Sequence, residues 1–294
     1  MTQNNNGCDN SSQNQKIKKE QQSSQQSSSK RKRGSSNCSQ VVTDSDRLAQ
    51  LVRENLVVVA IIGLKGGVGK SQLAQQTACS FPPELLKVID GDNANQTTKL
   101  VIGKMLPVES IEVTENPDRY QILDKLVDVI AEEENPKGVV ILDTPANAIP
   151  ALNNWLNRGG GAETLEMLGA KVIALYVVPN DEQSVQQFVG VRQQLSVIKH
   201  WVLVKNLFGG ATEGDFERLM SDKTIVSTKK KFSFCEMYLP ELRKPEVDLI
   251  RVKKLPFTKA LESTNLCGKT RLLHFKRRFD AEFAAVLETI LASS

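Results

Sequence analysis

Gly63-Leu-Lys-Gly-Gly-Val-Gly-Lys-Ser71 is the segment of this 294-residue chain whose residue types most directly imply chemistry. Gly66, Gly67 and Gly69 let backbone N–H groups approach an oxyanion closely, and Lys70 and Ser71 add a cation and a hydroxyl. Against the phosphate-loop pattern G-x-x-x-x-G-K-[ST], Gly69-Lys70-Ser71 fills the closing G-K-S. The opening glycine slot falls on Leu64, with Gly63 one position early, so the match rests on Lys65 to Ser71. Over Gly66, Gly67, Val68 and Gly69 the backbone can wrap phosphate oxygens. Lys70 can reach the β and γ phosphates, and Ser71 can ligate Mg²⁺ at a helix start.

Such a loop works only when a strand feeds it and a helix comes after it. The apolar run 56–62 precedes it and a helical pattern over 70–80 succeeds it. Further short apolar runs at 85–90, 138–143, 171–178, 200–206 and 231–238 read as strands, and helical patterns fill 119–133, 181–197 and 272–292. Nearly continuous apolar character suits strands of a parallel sheet covered on both faces. The expected fold is α/β, a doubly wound, mostly parallel sheet of phosphate-loop type, with its ligand site outside the carboxyl ends of the strands.

Composition divides the chain. Residues 1–40 contain only Met1, Cys8, Ile17 and Cys38 as apolar side chains, so they are expected to form a disordered basic Gln/Ser-rich tail ahead of one domain over 41–294. The tail has a net charge of +5, residues 41–221 one of −7, and residues 222–294 one of +6. Basic ends around an acidic middle point to a polyanion. The longest apolar runs are seven residues, against the ~20 that span a bilayer. Five scattered cysteines, no C-x-x-C pair and no signal-like start indicate a reducing cytoplasm and leave little for a structural zinc site. His200 and His274 are isolated. Trp155 and Trp201 read as core or interface, and Gly159-Gly-Gly161 as a flexible loop. Leu272, Phe275, Phe279, Phe283, Val286, Leu287 and Ile290 form a helical stripe that packs on the sheet.

Lys65-Gly-Gly-Val-Gly-Lys-Ser71 resembles the deviant Walker A motif, K-G-G-x-G-K-[ST], of the ParA/MinD ATPases, and the resemblance runs over about 50–290 in element order. It implies ATP and Mg²⁺ as cofactors and a lysine, matching Lys65, that crosses an ATP-sandwich dimer. Asp90-Gly-Asp92 is similar to the D-x-D switch I, which implies that Asp92 activates the attacking water and Asp90 supports the Mg²⁺ shell; Asp92 could otherwise cap the next helix. The Asp92 to Thr97 run looks closer to plasmid-stability and conjugation-associated relatives than to chromosome-segregating ones. Val139-Val-Ile-Leu-Asp143 resembles Walker B, which puts Asp143 on Mg²⁺ through water. Asn206, at the end of 202–206, matches the place where the family reads adenine through an amide.

The resemblance thus implies slow Mg²⁺-dependent ATP hydrolysis by an ATP-dependent homodimer that binds DNA non-specifically, with a partner protein that stimulates hydrolysis. Its cargo would be a plasmid or its transfer apparatus, and its location cytoplasmic and nucleoid-associated. Charge supplies candidate DNA contacts: Lys30, Arg31, Lys32 and Arg33 in the tail, and Lys229, Lys230, Lys231, Arg251, Lys253, Lys254, Lys276, Arg277 and Arg278 toward the C-terminus. The alternative is a MinD-like membrane-associated positioning ATPase. The last helix, lacking basic residues after Arg278, makes a membrane the lesser expectation. A nitrogenase-reductase-type role is disfavoured because no cysteine stands just after the Asp143 segment.

Overall fold

Leu56-Val-Val-Val-Ala-Ile-Ile62 has no polar side chain, so both of its faces must be covered, and they are. In the computed structural model, which describes residues 43–293 apart from Glu115 and Asn135, this run is strand β1 (Leu56–Ile62), buried at every position. Strands β2 (Leu86–Asp90), β3 (Val108–Ser110), β4 (Gly138–Asp143), β5 (Ala170–Val178), β6 (His200–Asn206) and β7 (Cys235–Leu239) complete one sheet in the order β3-β2-β4-β1-β5-β6-β7. Every pairing is parallel. From β1 the chain runs out to β2 and the edge strand β3 and returns to place β4 between β2 and β1. It then crosses to β5, β6 and β7 on the other side, so the direction of winding reverses at β1, where a crevice opens at the carboxyl ends. The expected disordered tail, with Lys30 to Arg33, lies outside the described residues.

The helices are α1 (Asp44–Arg53), α2 (Lys70–Ala78), α3 (Thr97–Ile102), α4 (Asp124–Ala131), α5 (Ile149–Asn157), α6 (Gly161–Met167), α7 (Glu182–Gln194), α8 (Glu213–Met220), α9 (Lys223–Lys231), α10 (Lys244–Val247), α11 (Phe257–Glu262) and α12 (Leu266–Ala292). Period-2 alternation sends Val57, Val59 and Ile61 into one core with α1, α2 and α12, and Leu56, Val58, Ala60 and Ile62 into another with α4, α5 and α7. All seven residues of the α12 stripe are buried in the first core. Phe279 and Phe283 stack at 5.8 Å between ring centroids, and truncating either to Ala would cost roughly 3–5 kcal/mol. Buried Asp280 ties this helix down by accepting from Ser45 Oγ (2.7 Å), Ser80 Oγ (2.6 Å) and Lys276 Nζ (2.6 Å).

The structure corrects the sequence reading at several elements: the helix expected over 272–292 already begins at Leu266, and that expected over 119–133 is α-helical only over Asp124–Ala131. The strand expected over 231–238 starts only at Cys235, because Asp222 caps α9 through Thr224 N–H and the helix runs on to Lys231. Gly159 to Gly161 is a tight turn and not a flexible loop: Gly160 sits at φ 75° as the N-cap of α6, and a Cβ on Gly161 would lie 2.5 Å from the Trp155 ring. The short edge strand β3 is absent from the sequence reading, since three residues carry no readable period. Trp155 and Trp201 are both core residues. Among the described residues no helix is long and apolar enough to cross a membrane.

Candidate functional site

Lys70 is 9% exposed at the first position of α2, beneath the loop, where its Nζ donates to Lys65 O at 3.1 Å. Burial lowers its ammonium from the ordinary value, against the pull of Asp143 and Asp92. The loop reaches this shape through left-handed Gly67 (φ 76°) and Gly69 (φ 103°). At Gly69 the requirement is also steric, since a Cβ would come 2.6 Å from Asn206 Nδ2. Asn206 lies buried under the loop, its Nδ2 donating to Val68 O at 2.7 Å and its Oδ1 accepting from Phe208 N at 3.1 Å. Its amide therefore braces the loop from below.

Parallel registration sets Asp90 opposite Asp143 at the ends of β2 and β4. Both carboxylates are 1% exposed. Burial pushes Asp143 up to about 6, with the Thr98 hydroxyl pulling down and the charge of Asp90 adding to the rise. Asp143 Oδ2 accepts from Thr98 Oγ1 at 2.7 Å, while Oδ1 is buried with no partner within hydrogen-bond distance, the Ser71 hydroxyl lying just close enough to pull the carboxyl down. An orphaned carboxylate oxygen beside the Ser71 hydroxyl and Asp90 is the donor chemistry that a hard divalent cation and its waters require. Mg²⁺ fits these residues. Asp90 is also raised by burial, but its oxygens accept from Asp92 N (3.1 Å) and Lys99 N (2.8 Å), so it holds the 92–99 segment in place.

Asp92 does not cap α3. The helix begins after Gln96, which sits at φ 40° with no side-chain cap, and Asp92 instead closes a loop by accepting from Asn95 N (3.2 Å) and Asn95 Nδ2 (3.0 Å). Its side chain borders a cavity of about 770 Å³ shared with Gly66, Gly67, Gly69, Lys70 and Ser71. Lys65 extends sideways: its Nζ pairs with Asp181 Oδ1 at 2.9 Å, and Asp181 is the N-cap of α7.

The basic residues grouped by sequence separate in space. Lys229 pairs with Glu236, Lys276 with Asp280, and Arg278 with Glu213 and Glu282. Lys231 lies against the Phe232 ring. Lys230, Lys253 and Arg277 are exposed, and Lys254 is half-buried with its backbone at φ 53°. Arg251 faces the cavity of the glycine-rich loop.

Sequence reasoning misses Thr98, Asp181 and Arg251 as parts of this region. Nothing in Thr97-Thr98 says which hydroxyl turns inward. Asp181 is legible only as a helix cap. Arg251 groups by sequence with surface charge, because its position over the cavity depends on an irregular turn.

No protein-family profile and no curated protein matches the chain. Among solved structures it is similar to the septum site-determining protein MinD in complex with Mg-ADP from Pyrococcus horikoshii, at 16% identity and TM-score 0.43, covering 78% of this chain and 98% of that one. A Cyanothece McdA–ATP complex aligns at 10% identity and TM-score 0.47, over 81% and 97%. The Aquifex aeolicus MinD cell division protein aligns at 18% and 0.44, over 76% and 97%.

Proposed function

We propose that the chain is a Mg²⁺-dependent ATPase of the ParA/MinD type, which dimerises around ATP, binds DNA without sequence preference and uses slow hydrolysis to position or partition a plasmid or its transfer apparatus. The observation that carries the reading is buried Lys70 beneath a loop of left-handed glycines, beside Asp143 with its orphaned oxygen. In this reading Gly66 to Gly69 bind the phosphates through backbone N–H groups, and Lys70 neutralises charge that grows on the β–γ bridge. Ser71 and Asp143 would hold Mg²⁺, Asp143 through water, and the ion supplies Lewis-acid stabilisation of the phosphate oxygens. Asp92, at the cavity wall, would orient the attacking water. The water oxygen would bond to the γ phosphorus as the β–γ P–O bond breaks, its electron pair leaving on the β-phosphate oxygen of ADP and the water's proton passing to the released phosphate. Asn206 would read adenine only if its bond to Val68 O were exchanged for one to the base; its present role is to set the loop. Lys65 would serve the partner's phosphates after leaving Asp181.

DNA contact is supported by the exposed cations Lys230, Lys253 and Arg277 and by the basic tail. A stimulating partner protein belongs to the same reading. The test is duplex retardation by the full-length chain with ATP, ADP or neither. Retardation with ATP that falls steeply with salt and is lost in Lys230→Glu/Arg277→Glu supports the DNA function, because each neutralised phosphate releases counterions. No retardation at low salt, or retardation indifferent to nucleotide, contradicts it.

A further inference from the structure

Residues 248–256 continue from α10 without settling into a regular α-helix. Asp248–Val252 is a single π turn, closed by Lys253 N–H donating to Asp248 O at 3.0 Å, five residues back. Such turns insert one residue and rotate the chain beyond it, and they recur at functional sites. Two residues on, Lys254 takes φ 53°, a conformation a lysine adopts at a cost. The segment is nonetheless anchored. Leu249 and Ile250 are buried, Ile250 beside Gln72, Gln75 and Gln76 of α2, and Lys254 O accepts from Lys104 Nζ just after α3.

What this irregular turn presents is Arg251. The residue lines the same cavity as Lys70, Ser71 and Asp92 and is exposed, and among the described residues its guanidinium has no ion pair, hydrogen bond or ring partner. The charge balance of that cavity makes such a cation useful. Lys65 is drawn away by Asp181, which leaves Lys70 as the loop's cation, while Asp92 and Glu112 border the same space. A polyphosphate brings roughly three to four further negative charges, and a planar guanidinium can meet two phosphate oxygens at once.

We propose that Arg251 is a nucleotide-contacting residue: it binds the phosphate chain within its own protomer, and the π turn at 248–252 exists to aim it there. This rests on the nucleotide reading of the cavity and adds to it a cation that no part of the glycine-rich loop supplies. Exposed Lys253 and half-buried Lys254 of the same segment do not line the cavity and do not share the role.

The experiment is titration of the full-length protein with Mg-ATP, Mg-ADP and AMP, for the wild type, Arg251→Ala, Arg251→Lys and Lys259→Ala, an exposed cation away from the cavity. Arg251→Ala should weaken Mg-ATP binding by about tenfold or more and AMP binding much less, with the melting temperature unchanged because the side chain is exposed. Arg251→Lys should recover only part of the loss, since an ammonium cannot bridge two oxygens. Lys259→Ala should bind as the wild type does. If Arg251→Ala binds Mg-ATP within twofold of the wild type, or if Lys259→Ala loses as much, Arg251 is a surface charge and the inference is overturned. If Arg251→Ala melts early, the Arg251→Lys arm decides: full recovery of affinity contradicts a bidentate contact. If the wild type binds no nucleotide, the reading of the cavity fails first and takes this inference with it.

Discussion

Lys65 and Asp181, 116 positions apart, meet as an ion pair with Nζ 2.9 Å from Oδ1, and the same carboxylate caps α7 by accepting from Ser184 N at 2.8 Å and Ser184 Oγ at 2.7 Å. Burial pushes the Asp181 carboxyl up, but the Lys65 and Ser184 hydrogen bonds outweigh it and leave it below its ordinary value. The lysine that the proposed dimer requires is thus held within its own chain.

Release of that lysine should be measurable. Asp181→Asn keeps a residue that caps nearly as well but removes the charge. Dimer formation, tracked by light scattering against ATP concentration, should then occur at several-fold lower ATP. Lys65→Ala should bind nucleotide and stay monomeric. Equal dimerisation in Asp181→Asn and the wild type would make the pair a surface contact only.

Thr98 connects two segments by its 2.7 Å bond to Asp143 Oδ2. Thr98→Val takes that donor away from a buried carboxylate, which should cost about 1–3 kcal/mol of stability in the absence of ligand. Mg-ATP should restore more stability to the variant than to the wild type if the cation takes up the freed carboxylate. Identical thermal shifts in the two proteins would detach Asp143 from the cation.

The pH dependence of stability should show Glu236. Burial raises its carboxyl, but Lys229 and Lys205 outweigh burial and hold it below its ordinary value of 4.5. A depressed folded-state value stabilises above the unfolded value, and that contribution disappears as pH falls through the folded one. Glu236→Gln leaves Lys205, its side chain only 8% exposed, without its carboxylate. Denaturation at pH 7 should therefore show a loss of about 2 kcal/mol or more, shrinking as pH falls below the ordinary value of 4.5 and through the lower folded-state one. A loss independent of pH would assign the effect to packing.

The fold is legible where burial on both faces forces continuous apolar runs. Leu56–Ile62, Gly138–Asp143 and His200–Asn206 begin and end where the sequence places them. It is less legible where caps and turns decide, as at Asp222, which starts α9 and delays β7, and at Gly161, whose missing Cβ admits Trp155. The glycine-rich loop is readable because its chemistry is contiguous. Thr98, Asp181 and Arg251 reach the same region from 27 to 180 residues beyond Ser71, through strand register, a helix cap and a π turn, and single-sequence spacing carries none of these.

Calorimetric titration of Mg-ATP into the wild type and Lys70→Ala tests the central claim most directly. With no other side chain able to replace the buried ammonium under the loop, the wild type should bind one nucleotide per chain and Lys70→Ala should lose at least a hundredfold in affinity while remaining folded by circular dichroism. Equal binding by the two proteins, or none by the wild type, would contradict the assignment of this cavity to a nucleotide.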